Sequence, residues 1–275
     1  MTPPRPAIRA VLVNYHCADH IEQRLASGVF ESLDEVLIVD NASDPERVAG
    51  WKSAYGVTPV LLPGNVGFAA AVNEAVRRST SSGPILLLNP DADLDRRGLR
   101  RLLRELAGAD AGADAVAPLL RDTGGGVQVG AGGGPLTLRS VTTYFLFLSH
   151  VVPRARGIFL TRRQIARGAA ADWLCMACLL LAPDAFERFG PIPEDELVYA
   201  EDVAWGTRAT RRGARFRLVP EVSVEHEQGV SGGGDAWVGA LERLYLRRLG
   251  ALRGRVAVGV MRVGLAVREV RRALR

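Results

Sequence analysis

A chain of 275 residues, 48% hydrophobic and with a formal net charge of +5, can bury one large core and favours anionic partners. It has no run of ~18 apolar residues to span a membrane, no leader-like N-terminus, and only three cysteines, Cys17, Cys175 and Cys178, too few for a disulfide scaffold. The few cysteines predict a reducing, cytoplasmic home; the 30 glycines keep no three-residue period, and a 6% aromatic share without an RNA- or DNA-binding motif argues against nucleic acid, while charge alone does not choose between an anionic membrane surface and phosphorylated small molecules.

IRAVLVNY (Ile8 to Tyr15), β-branched and apolar, predicts a first strand, and a helical pattern follows around His20 to Phe30. EVLIVD (Glu35 to Asp40) predicts a second strand that stops on an acid. A helix over Ala49 to Tyr55 and the short run VTPVLL come next, then the glycine-bounded turn PGNVG and the helix FAAAVNEAVRRS. ILLLN predicts another strand, and Arg97 to Ala107 another helix. This alternation, with strands apolar on both faces, predicts a parallel sheet covered by helices. Ligands of such sheets lie beyond the carboxyl ends of the strands, where this chain places Asn14-Tyr15, Asp40-Asn41 and Asn89 with Asp91.

RDTGGGVQVGAGGG (Arg121 to Gly134) reads as a surface loop or hairpin, and Val141 to Arg167 shows no clean period. WLCMACLLLA (Trp173 to Ala182) fits a buried strand or a buried helix, with its CxxC cysteines read as core packing. Glu201-Asp202 sit at the expected start of a helix, and beyond Asp235 an arginine-rich amphipathic pattern predicts one or two helices.

Several stretches could carry chemistry, and each has a plainer reading beside it. In LLLNPDADL, Asn89, Asp91 and Asp93 could present oxygens to Mg²⁺ or Mn²⁺, or form an Asn-Pro-Asp turn that caps the next helix. VDNASD could contact a ribose through Asp40 or be an ordinary turn, and GNVGFAAAVN could open a helix toward a phosphate or simply join loop to helix. Glu201 or Asp202 could be a general base or only a favourable helix start. His226 could complete a metal site or be a structural histidine.

The order of these stretches is more specific than any one of them. VNY, VDNASD, NVGFAAAVN, LLLNPDADL, Trp173, YAED and a downstream His226, from Ile8 to Ser231, resemble the family-2 glycosyltransferases, in particular their rhamnosyltransferase-like branch. The resemblance implies an α/β GT-A fold: a Rossmann-like, mostly parallel sheet flanked by helices, here with a C-terminal basic helical segment. It divides the chain into a transferase domain at 1–234 (nucleotide-sugar half 1–120, acceptor half 121–234) and a helical extension at 235–275. It implies a hexosyltransferase-type activity on a dTDP- or UDP-sugar donor and an acceptor hydroxyl, usually with Mg²⁺ or Mn²⁺. Carried onto this chain, Val13, Asn14, Tyr15, Asp40, Asn41, Asn65, Gly67 and Asn89 would line the nucleotide pocket. Asp91, Asp93 and His226 would hold the metal, Trp173 would face the acceptor, and Asp202, with Glu201 beside it, would be the base. One base suffices where the leaving group is a metal-stabilised diphosphate, which predicts inversion at the anomeric carbon.

The chain also departs from the family pattern. Asn89 replaces an acid, GPIPE (Gly190 to Glu194) stands where Gly-Gly-Phe-Asp-Glu is common, Met176 stands for a glycine, and Ala204 stands for an acid. Two rival readings are a nucleotidyltransferase that makes a sugar-nucleotide and a non-catalytic basic binding protein. The basic tail could lie on an anionic membrane at the inner face, pack on the catalytic domain, or join a second subunit.

Overall fold

The computed structural model describes residues 8–108, 112–152, 154–195, 199–227 and 236–274. Val198 of the VYAED run and residues 228–231 after His226 lie outside them. The first half follows the expected alternation: β1 (Arg9–Asn14), α1 (Ala18–Ala26), β2 (Glu35–Asp40), α2 (Pro45–Tyr55), β3 (Thr58–Leu61), α3 (Phe68–Arg78) and β4 (Ile85–Leu88). A two-residue strand β5 (Ala92–Asp93) then leads into α4 (Arg96–Leu106), whose start is fixed by Asp95 accepting the Gly98 N–H, a cap worth ~1 kcal/mol.

The second half contains β6 (Ala115–Arg121), β7 (Gly132–Gly133), α5 (Leu138–Phe145), α6 (Leu148–Val151), α7 (Arg162–Ala166), β8 (Trp173–Leu174) and β9 (Cys178–Leu181). It continues through α8 (Ala185–Phe189), α9 (Glu201–Arg211), β10 (Phe216–His226), α10 (Ala236–Leu249) and α11 (Ala251–Ala273). The main sheet has the order β3-β2-β1-β4-β9-β6-β10-β5. β1 to β4 are parallel, β9 is inserted antiparallel between β4 and β6, and β10 runs parallel to β6.

Helices cover the sheet, so Leu86 and Leu87 of β4 and Leu180 of β9 are fully enclosed. Each such leucine contributes ~1.5–3 kcal/mol of burial. WLCMACLLLA resolves into two strands joined by a turn at 175–177, with Cys178 buried against Leu88. The glycine-rich stretch is not wholly a surface loop, because Gln128 is buried and Gly132–Gly133 pair with Trp173–Leu174. That pairing is tight: a Cβ on Gly133 would stand 1.7 Å from the Ile158 carbonyl oxygen. The aperiodic segment from Val141 to Arg167 holds the end of α5 and the short helices α6 and α7, each with too few turns to show a period.

α11 packs on α10 and on α5, and the three helices form a second core with Trp173 and Val203, to which α5 contributes Tyr144 and Phe145. The expected helical extension therefore shares a core with the acceptor half.

Candidate active site

The polar strand ends meet along one edge because β1, β2 and β4 are parallel and in register, with Asn14 beside Asp40. The fully buried Asn14 donates to Asp40 Oδ1 at 2.8 Å and to Ser43 Oγ at 3.0 Å. Asp40 also accepts from Ser43 N, Ser43 Oγ and Asp44 N. Its carboxylate thus closes the turn after β2 and, at 0% exposure, presents no surface to a ribose; the structure gives it a shaping place instead of the expected contact.

Asn41 and Asn65 form a second interlocked set. The Asn41 amide donates to Asn65 Oδ1 at 2.8 Å, Asn41 Oδ1 accepts from Val66 N, and Asn65 Oδ1 also accepts from Gly67 N. Gly67 lies at φ +85°, a conformation that favours glycine. Val13 and Tyr15 remain half-buried at the rim. His16 and Ala42, just past the ends of β1 and β2, are held at φ +57° and +59°. Such strain in non-glycine residues collects where a ligand is held.

The NPDAD stretch folds back rather than staying extended. Ala92 N donates to the Asn89 carbonyl, and β5 then pairs antiparallel with the end of β10, His226 beside Ala92. β10 reaches this edge after a register shift between Val219 and Ser223, at Pro220, which has no N–H to give. Asp91 and His226 consequently face each other, Oδ1 to Nε2 at 3.5 Å, with side chains 9% and 10% exposed. The Asn89 amide lies 3.4 Å from the same ring nitrogen. Asp93 points elsewhere and pairs with Arg24 on the exposed side. The expected trio of Asp91, Asp93 and His226 does not assemble: Asp91 lies in the turn closed by Ala92 N on the Asn89 carbonyl, so the extended run that would keep residues 91 and 93 on one side is broken. Among the described residues no three His, Cys, Asp or Glu side chains converge on a metal position.

One participant was not visible in the sequence. Gln128 Oε1 lies 3.0 Å from His226 Nδ1, while its amide nitrogen donates to the carbonyls of His226 and Arg121. Two carbonyls demand the NH₂, so the oxygen must face the ring and the ring must carry its proton on Nδ1. The Nε2 lone pair is thereby turned toward Asp91. Burial lowers the imidazole's affinity for a second proton and so favours its neutral form, against an opposing pull from Asp91. Burial also raises the Asp91 carboxyl, with His226 pulling it back down. A carboxylate and a neutral, oriented imidazole suit a divalent cation that takes its remaining oxygens from a diphosphate.

Glu201 and Asp202 lie at the start of α9, after Tyr199 and Ala200, which both adopt φ +69°. The turn at 175–177 ties this end to the strand edge. The Ala177 carbonyl accepts from Asn89 N at 2.8 Å, and the half-buried Cys175 thiol is pushed up by desolvation and then by the charges of Asp202 and Glu201. Burial likewise raises the Tyr199 hydroxyl, with Glu201 and Asp91 adding to it, so one side chain lies in the field of both motifs. Asp202 Oδ1 accepts from its neighbour Val203 N at 2.7 Å, yet desolvation dominates and pushes its carboxyl up to about 7. That is a range in which a carboxylate can take a proton near neutrality.

Trp173, expected at the acceptor, is enclosed at 1% exposure and its indole N–H donates to the Ile158 carbonyl. Its place is behind α9: a Cβ on Gly206 would stand 2.4 Å from Trp173 Cβ. It positions the helix that carries Asp202 and has no surface left for an acceptor.

A model of glycosyl transferase family 2 matches residues 10–167, more than half of the chain. The chain belongs to glycosyl transferase family 2. This sets aside the nucleotidyltransferase reading and makes the protein a glycosyltransferase. It is 22% identical over 224 residues to the low-salt glycan biosynthesis hexosyltransferase Agl10 of Haloferax volcanii, covering 80% of this chain and 67% of that one. Among solved structures, TarS 1–349 of S. aureus superposes with a TM-score of 0.55 at 13% identity, covering 94% of this chain and 70% of that one. GalNAc-T7, crystallised with UDP, GalNAc and Mn²⁺, superposes with a TM-score of 0.60 at 11% identity, covering 88% of this glycosyltransferase but 48% of GalNAc-T7. The shared fold is GT-A, with the mixed sheet and flanking helices described above.

Proposed function

We propose that this glycosyltransferase moves a sugar from a nucleoside diphosphate donor to an acceptor hydroxyl with inversion at the anomeric carbon. The donor is a dTDP- or UDP-sugar, with rhamnose or another deoxysugar the leading candidate. The observations that carry the reading are the facing of Asp91 and His226 at 3.5 Å, the desolvated Asp202 carboxyl, and Tyr199, which lies in the field of both Glu201 and Asp91.

The nucleoside rests at the rim of β1, on Val13 and Tyr15, against the turn that Asn14 and Asp40 close and the loop that Asn41, Asn65 and Gly67 hold. Asn89, Asp91 and His226 face the diphosphate. A divalent cation held by Asp91 and His226 would supply neutralisation of the charge that develops on the leaving diphosphate. Asp202 accepts the acceptor's hydroxyl proton while that oxygen bonds to the anomeric carbon and the bond from that carbon to the diphosphate oxygen breaks. No acid is needed on the leaving side, since a nucleoside diphosphate departs readily once its charge is stabilised. Glu201, beside the base and acting on Tyr199, helps orient the acceptor.

The test is NMR of a nucleotide-sugar panel with water as surrogate acceptor. Release of a sugar first seen as the opposite anomer, lost in Asp202→Asn, supports the reading. Retention of configuration would overturn the mechanism, and pyrophosphate release from a triphosphate would overturn the reaction class.

A further inference from the structure

α11 has two apolar faces where a packed surface helix needs one. Its inner face is made of small residues that let neighbours approach closely. A Cβ on Gly254 would stand 2.7 Å from the Tyr245 carbonyl of α10, and one on Gly264 would stand 2.5 Å from the Phe145 carbonyl of α5. Ala257 and Met261 complete that buried face.

The outer face is Leu252, Val256, Val263, Val267, Val270 and Leu274, each between 40 and 82% exposed. At 3.6 residues per turn their spacing keeps all six within an arc of about 60° along the whole helix. Arg253 and Arg271 border one edge of this stripe and Arg255 the other. At its far end Arg268 and Arg271 stack on Phe147, which brings α6 and its exposed Leu148 and Val151 alongside. Residues 236–275 hold ten arginines and two glutamates, a net +8, so the other 235 residues carry a net −3.

We propose that α11 is an interfacial helix whose outer face lies on an anionic lipid surface. A valine stripe this long is unusual on a monomer in water. No helix among the described residues is long and apolar enough to cross a membrane, so this one lies in the plane of the interface. Charge decides between a lipid surface and a second copy. Two copies meeting here would set arginine edges against arginine edges, and Glu242, one of the two acids, is already bonded to Arg262. Anionic headgroups match the arginines while the stripe enters the acyl boundary. The proposal rests on the surface of α11 and not on the donor chemistry.

The test is co-sedimentation of the full chain with phosphatidylcholine vesicles, with and without about a third phosphatidylglycerol. The expected result is binding to the anionic vesicles alone. It should weaken roughly tenfold or more in Val263→Ser/Val267→Ser/Val270→Ser and weaken with salt. These positions are exposed, so the variant should keep its fold, which circular dichroism checks. Arg253→Ser/Arg255→Ser should lower the preference for anionic lipid while sparing the fold. Unbound wild-type chain, or a triple variant that binds as well as wild type, would overturn the proposal. So would a dimer in sedimentation velocity that the valine changes dissolve, or equally tight binding to duplex DNA that ignores them.

Discussion

Replacing Asp202 with asparagine should make the protein more stable and nearly inactive, with both effects depending on pH. Burial raises the folded-state carboxyl from 3.8 to about 7, equivalent to about 4 kcal/mol. The unfolded chain loses this proton near pH 4 while the folded chain keeps it until near pH 7. The folded state therefore binds more protons across that window, and wild-type stability falls as pH rises through it. Above pH 7 the cost is constant. Asparagine carries no charge to desolvate and keeps an oxygen for the Val203 N–H. Its advantage should be nil near pH 4, grow through neutrality and level off. The residue is partly exposed, so about 2–4 kcal/mol is expected, which for a chain of this size is roughly 4–8 °C in Tm. Paired thermal melts across pH measure it. Turnover should drop about 10²–10⁴-fold, and the wild-type rate should climb with pH toward a plateau above 7. A stability difference that ignores pH, or an asparagine variant less stable at pH 8 than wild type, would refute the desolvation argument.

Gln128→Leu should weaken Mn²⁺ binding about 10–100-fold, and ¹⁵N spectra should show His226 losing its fixed Nδ1–H form; an unchanged tautomer and affinity would remove Gln128 from the site. Asp91→Asn should lower Mn²⁺ affinity at least as far, whereas Asp93→Asn should leave it unchanged and cost at most about 1 kcal/mol, since it loses only an exposed pair with Arg24. Equal losses of affinity would show that Asp93 turns inward. Gly133→Ala should cost more than about 4 kcal/mol by urea unfolding, because the new carbon would overlap the Ile158 carbonyl and approach Trp173 Nε1 to 2.3 Å; a cost under 1 kcal/mol would mean the β7–β8 contact is loose.

The parallel half of the sheet was legible because its strands are apolar on both faces and end on Asn14, Asp40 and Asn89, a pattern local to each strand. Residues that act across long separations were not. Gln128 lies in a glycine-rich stretch whose composition suggests a surface loop, and it is joined to His226 only by the pairing of β6 with β10. Asp93 looked equivalent to Asp91 by spacing, but the turn after Asn89 sends their side chains to different sides. Asp40 looked available by its strand-end position, yet three turn donors and Asn14 occupy its oxygens. Trp173 is similar: its place in the order of motifs suggested the acceptor, while its burial behind α9 depends on Gly206 packing, which no local pattern signals. The tail's amphipathic character was legible, but two apolar faces on α11 became distinct only once one of them was seen to be covered.

The most direct test of the central claim is a thermal-shift panel of UDP, dTDP, GDP and CDP with and without Mn²⁺, run on wild type and on Asp91→Ala. A diphosphate at about 100 times its Kd adds ~2.7 kcal/mol to the folded state. The account predicts that one diphosphate raises Tm, more so with Mn²⁺, and that the metal-dependent part disappears in Asp91→Ala. No shift with any diphosphate, or a full metal-dependent shift in Asp91→Ala, would contradict a donor site built on Asp91 and His226.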